Sequence, residues 1–224
     1  MSKKSSSLAG NQLVLTTIEP LTQNQKLAFE SEKNLVLHGM AGTGKTYVAS
    51  YVAYRAMSNR DYTNLVIIRS AVPTRDIGFL PGTQEEKSAV YEEPYKDVAA
   101  DLFQRGDAYS ILKQKFIVEF MTTSFIRGIT IDNSVIIVDE CQNMTFHELD
   151  SIITRVGLNC RIIFCGDFRQ DDFKGKREQS GMIDFMKVLE RTGNFDMIEY
   201  QVEDIVRSDF VKDYIIAKNE LGYD

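Results

Sequence analysis

Short apolar runs alternate with amphipathic stretches from residue 21 to the end of the chain. Residues 21–30 have helical spacing, and residues 34–38 (NLVLH) form an apolar run that ends in a glycine-rich loop. Residues 45–57 return to helical spacing, with Val48, Val52 and Ala56 on one face. Further strands are predicted at 65–68, 116–121, 135–138, 161–165 and 195–200, and further helices at 94–104, 145–154, 181–191 and 209–221. Short apolar strands separated by helices require right-handed crossovers. The expected fold is therefore α/β, a mostly parallel sheet with helices on both faces. Ligands of such sheets bind beyond the carboxyl ends of the strands.

The composition narrows this picture. A chain of 224 residues, 43% hydrophobic and 26% charged, suits one globular domain. Residues 1–12 (MSKKSSSLAGNQ) carry little to bury and are expected to form a disordered tail, leaving 13–224 as a single domain. The net charge of −6 excludes a uniformly basic, histone-like protein but not a local basic patch. Cys141, Cys160 and Cys165 are odd in number and contain no CxxC pair, and His38 and His147 lie far apart. Neither a disulfide framework nor a zinc site is expected. No apolar run reaches the length of a membrane span, and the start lacks the apolar core of a secretory signal, so no membrane association and a cytoplasmic location are expected.

The chemistry concentrates where apolar runs end. Gly39-Met40-Ala41-Gly42-Thr43-Gly44-Lys45-Thr46 satisfies GxxxxGK[ST] in full and stands between an apolar strand and an amphipathic helix. Its glycines let successive N–H groups turn toward a phosphate, and the dipole of the following helix favours the same anion. Lys45 is expected on the β/γ oxygens of ATP and Thr46 on Mg²⁺, with Tyr47 closing the nucleotide-contacting run. The strand at 135–138 delivers Asp139 and Glu140, the first expected to hold Mg²⁺ and the second to polarise the attacking water. A small-molecule kinase could dispense with Glu140, so the acidic pair argues for water as acceptor. The strand at 161–165 runs into GDxxQ and is expected to lie between the loop strand and the Asp139 strand, bringing Asp167 and Gln170 to the γ-phosphate. Gln25 offers an amide suited to an adenine edge, or is simply a helix glutamine.

The segments LTQNQ, GMAGTGKT, RSAVPTRDIGFLPGTQEEK, SFIRG, VIIVDECQN, ITRVG, GDFRQDD and DIVRSDFV occur in the order found in the PhoH-like ATPase family, and the chain resembles that family over about residues 20–218. The family is related to the superfamily 1 helicase motors and is frequently encoded by bacteriophages. The resemblance implies a RecA-like P-loop NTPase, phage-encoded and therefore placed in the host cytoplasm. It implies a nucleotide set of Gln25, Gly42, Gly44, Lys45, Thr46, Asp139, Glu140, Gln142, Asp167 and Gln170. Cys141 stands where the family usually has alanine. No PIN-type nuclease domain is expected, so the RNA cleavage of fused relatives does not carry over.

The related helicases close the nucleotide between two such lobes, the second supplying an arginine, and one lobe is what this length allows. A homo-oligomer, with a hexameric ring favoured, is therefore expected to complete the site from a neighbouring chain. Arg207, in DIVRS, is the first candidate for that arginine and Arg127, in FIRG, the second. The alternative for each is a contact within its own chain. RNA or single-stranded DNA is the expected object of the motor, met by residues 69–75 and 174–177. The net charge and the lack of an aromatic platform weigh against it. A regulatory switch that binds ATP and signals to a partner protein is the rival reading. Residues 84–87 with Glu92 and Glu93 read as solvated acidic surface, Asp171-Asp172 lack a nearby histidine for a metal site, and His38 reads as packed.

Overall fold

The computed structural model describes residues 7–10, 12–70, 84–167 and 180–222. In chain order the elements are β1 (Ser7–Leu8), β2 (Leu13–Val14), α1 (Gln23–Glu30), β3 (Asn34–Gly39), α2 (Lys45–Ser58), β4 (Asn64–Arg69), α3 (Gln84–Phe103) and α4 (Ala108–Gln114). They continue with β5 (Val118–Thr122), β6 (Ser134–Asp139), α5 (Phe146–Ile153), β7 (Arg161–Gly166), α6 (Ser180–Thr192), β8 (Phe195–Tyr200) and α7 (Asp209–Glu220). Six strands form one sheet in the order β5-β4-β6-β7-β3-β8, every pair parallel. The β7 strand thus lies between β3 and β6, as its sequence position next to GDxxQ predicts.

Burial on both faces explains why these strands read as continuous apolar runs rather than alternating ones. Every residue of β6 and β7 is buried. Successive side chains point to opposite faces. Leu35 and Leu37 of β3 join Ala28, Val48, Tyr95 and Leu112 in the layer of α1–α4. Val36 joins Leu149 and Phe185 in the layer of α5 and α6, where Phe164 meets Phe185 edge-on at 5.3 Å. The helix α5 starts with a full capping box, Thr145 and Glu148 satisfying each other's backbone N–H groups.

Three expectations need correction. Residues 7–10 of the expected tail do not trail free: β1 and β2 pair antiparallel, and Leu8, Ala9, Leu13 and Leu15 are buried in the α1–α4 layer. The Thr16 N–H donates to the Leu102 carbonyl, and Lys115 Nζ to that of Ala9. The polar flanks of SLAGNQLVL mask an apolar set that a two-strand hairpin gathers on one side. The helix expected from residue 94 begins ten residues earlier, with Pro94 inside it. Proline favours a first helical turn, which is why it reads as a start. Here it occupies an exposed turn, where water can serve the Val90 carbonyl left without its helical donor. The strand expected from 116 begins at Val118, because Phe116 takes a left-handed φ of +55° and is exposed, ending the turn after the unforeseen short helix α4.

Among the described residues, no helix is long and apolar enough to cross a membrane.

Candidate functional site

The loop between β3 and α2 is shaped by its backbone neighbours. Gly39 has a φ of +111°, and a Cβ there would lie 2.2 Å from the Tyr200 carbonyl oxygen on β8. The Met40 N–H donates to that same oxygen at 3.0 Å, so only glycine can open the loop at this point. Thr43 is fully buried, and its hydroxyl donates to the Met40 carbonyl at 2.9 Å. Gly44, the N-cap of α2, is left-handed at a φ of +82°, turning the helix N-terminus toward the loop.

Lys45 lies folded into the loop. Its Nζ donates to the carbonyls of Met40 (2.6 Å) and Gly39 (3.2 Å) and pairs with Asp167 Oδ1 at 2.5 Å. The lysine side chain is 6% exposed and that of Asp167 44%. Asp167, expected at the γ-phosphate, thus meets the very cation that a phosphate seeks.

Thr46 and Asp139 converge from separate elements. Thr46 Oγ1 lies 3.1 and 3.2 Å from the two Asp139 carboxylate oxygens, and the Tyr95 hydroxyl of α3 donates to Oδ2 at 2.7 Å. Burial raises the Asp139 carboxyl above its ordinary value, opposed by Tyr95, Arg69 and Thr46. Among the described residues, no three or more His, Cys, Asp or Glu side chains are arranged to hold a metal ion by themselves. The Thr46 and Asp139 oxygens, on helix and strand, would suit a hard cation that keeps water and phosphate oxygens as its other ligands, as Mg²⁺ does.

Glu140 is half-buried and takes a left-handed φ of +56°, a strained backbone for this residue type. Burial, and then the neighbouring Asp139 charge, raise its carboxyl above the ordinary range. Gln142 Nε2 donates to Glu140 Oε2 at 2.6 Å, while Gln142 Oε1 accepts from the Asp167 N–H at 3.1 Å, so one amide spans both acidic residues. Arg69, opposite Asp139 in the β4–β6 register, has Nη2 3.7 Å from Glu140 Oε1 and its guanidinium 5.7 Å from the Tyr91 ring.

The remaining expected residues lie around this centre. Gln25 is buried behind the loop, accepting from Leu21 N–H (2.9 Å) and donating to the Thr43 carbonyl (3.2 Å), so its amide braces the loop itself. Met40 is buried and Ala41 exposed. The Tyr47 hydroxyl donates to Asp101 of α3 at 2.6 Å, directed at that helix. Arg207 lies on its own chain's loop: its Cγ would meet a Gly42 Cβ at 3.1 Å, and the adjoining Val206 N–H donates to the Gly42 carbonyl at 3.1 Å. Arg127 is exposed in the connection from β5 to β6, next to Ile126, which is buried in the α5–α6 layer. His38 is buried. Gln170, Asp171, Asp172, residues 174–177 and residues 71–75 lie outside the described residues. Tyr91 and Tyr95 carried no sequence signal, since nothing in the chain before α3 indicates which strand end that helix will meet.

The PhoH-like protein family model matches residues 17–218. The chain belongs to that family. It is similar to the PhoH-like protein of Mycobacterium leprae, with 31% identity over 208 residues covering 91% of this chain and 59% of that one. It is similar to the PhoH-like protein of Bacillus subtilis, at 32% over 202 residues (89% and 63%), and to Protein PhoH of Escherichia coli, at 33% over 186 residues (81% and 51%). The chain therefore spans between about half and two thirds of the length of these relatives. Among solved structures, the large terminase of a thermophilic bacteriophage in complex with ADP superposes with a TM-score of 0.55 at 14% identity, covering 87% of this chain and 49% of that one. A second crystal form of that terminase gives 0.52 at 14% identity, covering 88% and 50%. The family's P-loop α/β architecture is thus found in this chain, as the motif order predicts.

Proposed function

We propose that the chain is an Mg²⁺-dependent ATPase, its nucleotide seated on the loop at 39–46, acting as a ring-forming motor on RNA or single-stranded DNA. One observation carries the reading: the Thr46 hydroxyl and the Asp139 carboxylate, 93 residues apart, meet beside Lys45 at the carboxyl edge of the sheet. The loop N–H groups and the α2 N-terminus hold the phosphates. Lys45 exchanges Asp167 for phosphate oxygen. Thr46 and Asp139 are the residues that would hold Mg²⁺, which when bound neutralises charge on the phosphate oxygens. Glu140, with its raised carboxyl held by Gln142, orients and deprotonates the attacking water. Asp167 and Gln142 link Glu140 to the Lys45 side of the site.

Oligomerisation supports efficient turnover in this reading. Arg207 reaches its own loop, so it serves the phosphates of its own chain. Arg127 is then the other candidate for the trans arginine, because it is exposed in the connection from β5 to β6. An arginine of one chain completing the site of the next suits head-to-tail rings such as a hexamer. Arg69 is engaged with Glu140 and Tyr91, so contacts to nucleic acid fall to Arg75 and to Lys174, Lys176 and Arg177 and are salt-sensitive. A cytoplasmic location accords with this role.

The second reading, an ATP-dependent switch that binds a partner protein, is favoured by the Lys45–Asp167 and Arg69–Glu140 pairs, which restrain both reactive groups. Steady-state ATPase with and without RNA separates the two. Strong stimulation supports the motor, and none supports the switch. Light scattering with and without nucleotide tests the ring, which a strictly monomeric, briskly hydrolysing protein contradicts.

A further inference from the structure

Helix α3 reaches the acidic pair through two tyrosines one turn apart. Tyr91 and Tyr95 are separated by four residues and so leave the same face of the helix. Tyr95 is 1% exposed, packs 5.9 Å from the Phe120 ring of β5, and spends its hydroxyl on Asp139 Oδ2 at 2.7 Å. Tyr91 lies against the Arg69 guanidinium, whose Nη2 is 3.7 Å from Glu140 Oε1. Each carboxylate of the pair therefore has a partner that traces back to one element.

Packing alone does not explain these choices. A buried ring at position 95 would fill its space equally well as phenylalanine, and a hydroxyl carried into the core is unfavourable unless it is used. The use is specific. Thr46 touches both Asp139 oxygens, whereas Tyr95 touches only Oδ2 and so fixes the rotation of the carboxylate about its last bond. A metal-binding carboxylate gains from such a fixed orientation, and residues that orient ligands from outside are worth nearly as much as the ligands. At Glu140 the strained backbone leaves the side chain dependent on its neighbours, Gln142 on one side and Arg69 on the other.

We propose that Tyr95 and Tyr91 are positioning residues for the hydrolytic site, Tyr95 orienting Asp139 toward the metal and Tyr91 holding Arg69 against Glu140. This rests on the Mg·ATP reading above. Both tyrosines act through Asp139 and Arg69 rather than on the nucleotide. Because both belong to one helix, a shift of α3 alters the metal ligand and the water activator together.

The test uses the full chain as wild type, Tyr95→Phe, Tyr91→Ala and Tyr91→Phe. Mn²⁺ binding to the ADP-loaded protein is followed by EPR, ADP affinity is measured in EDTA, melting temperature is recorded, and kcat is measured at saturating Mg²⁺. Tyr95→Phe should weaken Mn²⁺ binding about ten-fold or more, with metal-free ADP affinity and melting temperature close to wild type. Tyr91→Ala should lower kcat about two- to five-fold at unchanged Mn²⁺ affinity, and Tyr91→Phe should restore it, since a phenyl ring keeps the cation–π contact. Tyr95→Phe with wild-type Mn²⁺ affinity, or losing metal-free ADP binding in step with its melting temperature, overturns the positioning role while leaving the ATPase reading intact. Wild-type protein that binds no ADP and shows no Mg²⁺-dependent hydrolysis overturns the ATPase reading, and the positioning role with it.

Discussion

Replacing Asp167 by asparagine removes the carboxylate that holds Lys45. The pair is short, 2.5 Å, but its partners differ: the lysine is 6% exposed and the aspartate 44%. At an effective dielectric of 20, two charges about 4 Å apart attract by about 4 kcal/mol, whereas exposed pairs measure about 0.2–1 kcal/mol. With one partner half in water, the discounted value is about 1 kcal/mol, or roughly five-fold in an equilibrium constant. A phosphate arriving at Lys45 must displace Asp167 and overcome that energy. The Asp167→Asn variant should therefore bind ADP about five-fold more tightly than wild type at low salt, by calorimetry or fluorescent-nucleotide titration. The advantage should shrink in high salt, because the exposed carboxylate is screened. If Asp167→Asn binds ADP no better than wild type, Asp167 does not compete with phosphate for Lys45.

Three further outcomes follow from the same geometry. Gly39→Ala places a Cβ 2.2 Å from a backbone oxygen at a φ of +111°, so chemical denaturation should show a loss of about 3 kcal/mol or more, or no folded protein. Leu13→Ala should destabilise by about 2–5 kcal/mol, since Leu13 is buried in the core cluster; a change under about 0.5 kcal/mol would mean that the N-terminal hairpin does not dock. At Glu148, burial raises the carboxyl, but the hydrogen bonds from Thr145 and Thr123 outweigh it and hold the carboxyl below its ordinary value. Its contribution is therefore present above the unfolded-state value and is lost as pH falls through the depressed one. Glu148→Gln removes only the negative charge near the helix N-terminus and should cost about 0.3–1 kcal/mol near neutrality, with the difference from wild type vanishing in acid.

The parts of the fold legible in the sequence were those buried on both sides. Continuous apolar runs such as VIIVD and RIIFCG have no other place than the middle of a covered parallel sheet, and β6 and β7 stand there. The loop at 39–46 was equally legible, because its glycines answer to backbone geometry and its Lys-Thr to phosphate chemistry. What escaped were features set by distant neighbours. The hairpin of β1 and β2 depends on a surface offered by α2 and α3, and a composition rich in serine and lysine gives no sign of it. Pro94 misplaced the start of α3 because a local preference was overridden by the packing of the surrounding helix. The register that sets Arg69 opposite Asp139 also brings it to Glu140, a contact that no local pattern shows. Nor does any local pattern show that the chain after β8 returns over its own loop, where Arg207 lies beside Gly42.

The central claim is that loop, lysine and Asp139 together grip a magnesium-bound triphosphate. Isothermal titration of Mg·ATP into the Glu140→Gln protein, with Lys45→Ala beside it, tests this most directly, because slowed hydrolysis leaves binding heat unobscured. The account predicts one saturable site per chain in Glu140→Gln, loss of that heat in Lys45→Ala, and hydrolysis about 100-fold or more below wild type in Glu140→Gln. Absence of heat in Glu140→Gln and in wild type alike, at any protein concentration, would contradict it.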